Sequence, residues 1–250
     1  MLLLEIRPLI PRSSKRVQVP IPRNSSQLGA GIQGFARKFL GRPNTVVKIA
    51  LMGDSDAYEE FIRVATAHQN NPFFPRIMAV KKYRIDSLSY SEYVDIMGKL
   101  DVSDVFMDER MLDSMTWMMI LVMEELVSAE QPELEDAIVH NLTQLYSEEA
   151  MNIIYDSLGR SDDMEVDALL SILNHKFIRK IVTKNTPNPQ FRDALRLMNP
   201  LLIKNMADIR SANVMIRLTG QGPQLVFIDP VWSHPGKHSD GSYVIDINRG

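Results

Sequence analysis

Residues 206–232, MADIRSANVMIRLTGQGPQLVFIDPVW, constrain the chain more than any other stretch. Two short apolar runs, NVMIRL and QLVFID, flank the turn signal TGQGP, so the segment reads as a loop, a β-hairpin and a second loop. Asp208, Asn213 and Asp229 stand at the ends of these runs. Three oxygen-bearing side chains are therefore expected to converge at one end of a rigid ribbon. Asp and Asn beside a hairpin also form turns by bonding their own backbone. The ribbon alone leaves both readings open, turn-formers or a site.

Composition narrows the chemistry. The chain has 250 residues, 45% hydrophobic and 24% charged, which suits one large or two small folded domains. No apolar run approaches the roughly 18 residues of a membrane span. The opening LLLEI, soon followed by charge and proline, is too short for a signal peptide. A cytoplasmic protein without membrane attachment is the expectation. The absence of cysteine excludes disulfides, a thiolate nucleophile and Cys-type zinc sites. His68, His140, His175, His234 and His238 lack ligand spacing, so any metal is expected to be oxygen-bound magnesium.

The net charge of −3 is unevenly placed: residues 86–167 hold 21 acidic and 3 basic residues, whereas residues 1–44 hold 8 basic residues and only Glu5. The acidic stretch reads either as solvated helix faces or as a surface that prefers basic partners. A direct nucleic-acid role is not expected of it, because phosphate binding needs the opposite sign.

In chain order, Pro8, Pro11, Pro20 and Pro22 predict an extended arm with an edge strand through LLLEI or VQVPI. Gly29, Gly31 and Gly34 then form a GxGxxG, a string used both at strand-to-helix turns and at β-hairpin turns over phosphates. The following FARKFL and TVVKIAL look like strands, with a turn from Gly41 to Asn44, so no helix opens at Gly34 and the hairpin is expected. Lys48 falls mid-strand, where an ammonium must point away from the core or find a partner. DSDAYEEFIRVATAHQ reads as a helix capped by Asp56, with Glu59 and Glu60 in its first turns. A strand PRIMAVKKYRI, a helical acidic insertion over 86–115 and a strand TWMMILVMEEL, charged from Glu124, come next. Residues 132–200 predict four helices, with Pro187 and Pro189 separating the third from the fourth and Pro200 kinking the last.

Taken in order, GAGIQG, Lys48, Glu60, LVMEEL, DIRSAN and IDP resemble the protein-kinase fold over about residues 25–232. More narrowly, VVKIA, NVM, IDPV and DGSYVID resemble the early serine/threonine protein kinases of T-seven-like short-tailed bacteriophages. The resemblance implies an α+β, bilobal protein-kinase-like fold. Its N-terminal lobe (1–126) would be an antiparallel sheet with one helix and the 86–115 insertion, and its truncated C-terminal lobe (127–250) would be mostly helical. It implies ATP and Mg2+ as cofactors. Asp208 would orient the acceptor hydroxyl, Arg210 would neutralise the transferred phosphate, and Asn213 and Asp229 would hold magnesium. Lys48, paired with Glu60, would position the ATP phosphates under Gly29, Gly31 and Gly34. Met123 would wall the adenine pocket, and the backbone from Glu124 to Leu126 would meet the base. The implied partners are protein substrates, host transcription or translation proteins among them, in the host cytoplasm, together with self-phosphorylation and without direct nucleic-acid or membrane binding.

The pattern departs from the family in two places. Met206 and Ala207 replace the His and Arg that precede the catalytic Asp, and the stretch after the second Asp, where the family has its Gly, reads Pro230 then Val231. Only 18 residues follow Trp232, so a minimal kinase without the usual activation segment is expected. A small-molecule phosphotransferase of the aminoglycoside or fructosamine kinase kind shares the fold and the IDP motif, and a pseudokinase binding module is the non-enzyme alternative.

Overall fold

The computed structural model describes residues 4–6, 17–19, 27–31, 34–38, 43–52, 57–85, 89, 91, 116–158 and 165–232. The expected insertion, the Asp56 cap and the tail after Trp232 lie outside these residues, apart from Ser89 and Ser91. The fold is mixed α and β, with small antiparallel sheets and six α-helices among the described residues. It divides into two compact units, one of Met1–Asp56 with Ile77–Glu125, the other of Ala57–Arg76 with Leu126–Gly250.

The first unit is built on strands. β1 (Leu4–Ile6) and β2 (Val17–Val19) pair as a two-stranded ribbon of their own rather than adding an edge to the larger sheet. That sheet comprises β3 (Gln27–Gly31), β4 (Gly34–Lys38), β5 (Thr45–Met52), β6 (Ile77–Arg84) and β7 (Trp117–Glu124), in the order β3-β4-β5-β7-β6. β5 is central and buried at every position but Lys48. Its run TVVKIALM supplies the β-branched and apolar residues that a strand covered on both faces needs. Asn44 enters β5 at φ 58, a left-handed conformation that Asn tolerates, and its carbonyl accepts the Glu125 amide at 2.9 Å.

The second unit is mostly helical. α1 (Ala57–Ala67) buries Phe61, Ile62 and Ala65, spaced as one amphipathic face requires. β8 (Val127–Ser128) leads to α2 (Glu135–Leu145), α3 (Glu148–Leu158), α4 (Val166–Ser171), α5 (Lys176–Asn185) and α6 (Pro189–Lys204). β9 (Met206–Ala207), β10 (Val214–Thr219), β11 (Gly222–Phe227) and β12 (Val231–Trp232) complete the unit. β10 and β11 form the expected hairpin, in register from Val214↔Phe227 to Thr219↔Gly222, with Gly222 taking the positive φ of 115 at the turn.

Ala57–Arg76 belongs to the second unit, with Leu126–Gly250, although it lies between two stretches of the first in sequence. Its packing explains why. Phe61 lies 6.2 Å from Phe74 and Phe73 lies 4.9 Å from Phe191, centroid to centroid. Arg217 donates to the carbonyls of Pro72 and Phe74 at 2.6 and 3.0 Å, and the Phe227 amide donates to the Phe73 carbonyl at 2.9 Å. Three backbone groups after α1 are thereby tied to the hairpin.

The single helix expected from MEVDALLSILNHKFIRKIV is broken. A 3-10 turn (Ile172–Asn174) follows α4, and His175 is extended at ψ 113 before α5 begins. Local periodicity runs straight through this break, because the break is set by tertiary hydrogen bonds described below. α6 starts at an Asn188 cap, whose Oδ1 accepts the Phe191 amide at 3.0 Å, with Pro189 in the first turn, and it continues through Pro200. Among the described residues no helix is long and apolar enough to cross a membrane.

Tyr146, 4% exposed, donates its hydroxyl to the Leu169 carbonyl at 2.8 Å, and burial pushes its phenol pKa up. Tyr146→Phe is expected to cost about 1 kcal/mol of unfolding free energy, the usual net worth of one hydrogen bond. Urea denaturation measures it. A cost near zero would mean that the Leu169 carbonyl finds another donor.

Candidate functional site

Within the second unit, Asp208 is the node of the candidate site. Its amide donates to the Pro230 carbonyl at 2.9 Å, while Ala207 pairs with Val231, so a short ladder of β9 and β12 clamps the loop to the segment after the hairpin. Its side chain is one-third exposed, and both carboxylate oxygens are engaged. Oδ1 meets Arg210 Nε at 3.2 Å, and Oδ2 accepts Asn213 Nδ2 at 2.7 Å. Asn213 Nδ2 also donates to the Asp208 carbonyl at 2.9 Å. A 3-10 turn (Ser211–Asn213) closes the loop and delivers Asn213 to the first residue of β10.

The Asn213 carbonyl accepts the amides of both Ile228 and Asp229 at 3.2 Å. Asp229 is thereby fixed at the exit of β11, beside the amide residue at the entrance of β10. The hairpin is what makes this possible, since its two ends must lie side by side. Asp208, Arg210 and Asn213 are thus joined through their side chains, and Asp229 is tied to Asn213 through its backbone amide, all within one unit.

Four residues support this loop without any signal near it in sequence. Asn174 clasps Ile209 from both sides: its Oδ1 accepts the Ile209 amide at 2.8 Å and its Nδ2 donates to the Ile209 carbonyl at 3.1 Å. Asp167 Oδ1 accepts the Ser211 amide at 2.6 Å, and Ser211 Oγ donates to Glu130 Oε1 at 3.3 Å. Ser211 is only 8% exposed, so its hydroxyl is not presented for modification. Arg179, 2% exposed, donates to the carbonyls of Leu173 and Asn174 at 2.6 and 3.2 Å and to Asn199 Oδ1 at 3.3 Å. The guanidinium thus holds open the break before α5 and fixes Asn174, while burial lowers its pKa.

Could this group hold a hard cation? Asn213 commits its nitrogen to Asp208, and among the described residues its Oδ1 accepts no hydrogen bond. An amide oxygen next to a carboxylate suits magnesium, which takes oxygen ligands and keeps several waters. Three or more His, Asp or Glu residues placed to hold a metal are not found among the described residues, so a site here would rely on Asn213 with Asp229.

The other predicted residues lie in the first unit, with two exceptions. Gly31 pairs with Gly34 and Gly29 with Ala36, so the three glycines of the GxGxxG lie on the antiparallel β3-β4 pair, as the flanking strands predicted. Ala36 pairs with Lys48, Lys48 with Leu121, and Val46 with Met123. Directly paired residues share a face, as do alternate residues of one strand. Ala36, Lys48, Val46 and Met123 therefore occupy one face of the sheet. Met123 and Glu124 are buried, and Glu125 is held by Lys38 at 2.6 Å. The exceptions are Leu126, which opens the long segment of the second unit, and Glu60 on α1, whose carboxylate forms an ion pair with Lys204. The Lys204 partner had no sequence signal, being 144 residues away.

Compared with known proteins, the chain matches no protein-family model and no curated protein sequence.

Proposed function

We propose that the chain is an ATP- and magnesium-dependent serine/threonine protein kinase with a reduced bilobal protein-kinase-like fold. The resemblance to phage kinases points to host proteins in the bacterial cytoplasm as its substrates, transcription and translation factors and the enzyme itself among them. The observation that carries this reading is the Asp208 cluster: a carboxylate held at both oxygens by Arg210 and Asn213, on a loop whose Asn213 backbone also fixes Asp229. Turn-forming residues bond their own neighbours and stop there. Here one Asp, one Arg, one Asn and a second Asp are brought from two ends of a hairpin to a single partly exposed place.

In this reading Asp208 accepts a hydrogen bond from the acceptor hydroxyl and aligns it for in-line attack. Its present partner Arg210, more than half exposed, would turn toward the transferred phosphoryl group. Asn213 Oδ1 and Asp229 would hold the metal, which when bound would supply charge neutralisation for the transferred phosphoryl group. In the first unit, backbone amides of Gly29, Gly31 and Gly34 would approach the phosphate oxygens. Lys48 shares a sheet face with Val46 and Met123, the arrangement that lets one face take both the base and the phosphates of ATP.

Incubation of the purified protein with γ-labelled ATP, magnesium and a bacterial lysate is expected to label proteins, with the label on serine or threonine. Label on metabolites alone would replace this reading with a small-molecule phosphotransferase. ATP binding without transfer would leave a pseudokinase.

A further inference from the structure

α5 presents an unusual outer surface. Lys176, Lys180 and Lys184 recur every fourth residue, so they form one stripe, and all three are exposed. Among the described residues none of them has an ion-pair partner. Beside the stripe stands Phe177, 71% exposed, with half-buried Ile181 one turn on. The helix is anchored from behind by Ile178, Arg179 and Val182, so this face is displayed by a fixed support. At the other end of α5, Asn185 donates to Glu149 of α3, while among the described residues no ion pair engages Lys176 or Lys180.

Position gives this face its meaning. α5 begins two residues after Asn174, and the Asn174 side chain grips the backbone of Ile209, the residue between Asp208 and Arg210. Three residues of chain span at most about 11 Å, so Phe177 cannot be far from the Asp208 loop. We propose that the Lys176, Phe177 and Lys180 end of α5 docks an acidic segment of the protein substrate, with Phe177 receiving an apolar side chain of that segment.

This inference rests on the kinase reading for the word substrate, while the binding itself does not. The charge of the face selects an acidic partner, and one aromatic with one half-buried Ile offers too little apolar area for a lipid surface or a second copy of this chain. The sequence carries the same asymmetry. Residues 168–217 hold nine basic and two acidic residues, the reverse of the 86–167 stretch.

The test is fluorescence anisotropy, without nucleotide, of a labelled twelve-residue peptide bearing Asp and Glu around one Leu and one Ser. A second peptide has Lys at each acidic position. The acidic peptide is expected to bind at least about tenfold more tightly, and Lys176→Glu with Lys180→Glu is expected to reverse the preference. Phe177→Ser should weaken the acidic peptide by about threefold to tenfold, the worth of one apolar contact. These side chains are exposed, so melting temperatures should stay near the parent value; should the double variant misfold, Lys180→Gln, tested alone, is expected to weaken the acidic peptide and leave the basic one unweakened. No preference for the acidic peptide, or a preference that the charge reversal leaves unchanged, overturns the proposal. So does finding that the substitutions weaken oligouridine or phosphatidylserine vesicles and not the peptide. If the lysate labelling fails but the preference reverses, the docking face stands and the kinase reading falls. If labelling persists without peptide binding, only the docking face falls.

Discussion

Asp208→Asn is expected to lower phosphotransfer by a factor on the order of a thousand or more in kcat, with ATP affinity within about threefold of the parent. The substitution keeps the size of the side chain and an oxygen for Arg210 or Asn213, so the loop should survive. On the proposed kinase reading it removes the negative charge that would align an attacking hydroxyl, and that loss would be felt in the transition state more than in the ground state. It also removes the Arg210 counter-charge across 3.2 Å. Asp229→Asn should behave differently: activity should fall by a similar factor, but part of it should return as magnesium is raised, because on the proposed reading the missing charge is that of a metal ligand. Initial rates of label transfer over a magnesium titration separate the two. An Asp208→Asn protein that retains a tenth of the parent rate would sink the assignment of Asp208. A magnesium response identical in the two variants would sink the division of roles between Asp208 and Asp229.

How much of this was legible depends on the range over which each signal acts. The β10-β11 hairpin could be read because its cause is local: a period of two, bounded by TGQGP. The same holds for the glycine hairpin, whose meaning was decided by the strands on each side of it. α1 was legible as a helix but not as a member of the second unit. Its placement depends on Phe73, Phe74 and Arg217, and the last of these is more than 140 residues away. The break at His175 was invisible to periodicity for the same reason, since Asn174 and Arg179 impose it through side-chain contacts. One clue was present. Arg179 lies between Ile178 and Val182, on the apolar face of KFIRKIVTKN, where an unpaired guanidinium would be costly. A charged residue on the buried side of a helix asks for acceptors, and here the acceptors are the carbonyls that end the preceding turn.

That placement makes Arg179→Met the substitution expected to cost most in stability, about 3–5 kcal/mol. Methionine fills much of the same volume and favours helix, so neither a cavity nor a lost propensity explains such a cost. What changes is the fate of three acceptors. The carbonyls of Leu173 and Asn174 and the side-chain oxygen of Asn199 lose donors at 2.6, 3.2 and 3.3 Å in a place where Arg179 itself is 2% exposed. Unpaired buried acceptors each cost on the order of 1–3 kcal/mol, and water has little access to replace the guanidinium. The damage should also travel. Asn174 loses the bond that holds its carbonyl, and its side chain is what fixes the Ile209 amide. Hydrogen exchange at Ile209 is therefore expected to accelerate in Arg179→Met beyond what the global loss accounts for. Asn174→Ala should produce the same local acceleration with a smaller global loss of about 1–2 kcal/mol, because it removes the clasp while leaving the guanidinium paired with backbone carbonyls. Urea denaturation gives the global term and amide exchange the local one. Should Arg179→Met lose less than about 1 kcal/mol, those carbonyls are hydrated and the guanidinium is not what holds the break. If Ile209 exchange follows global stability alone in both variants, the loop that carries Asp208 does not depend on α5 for its shape.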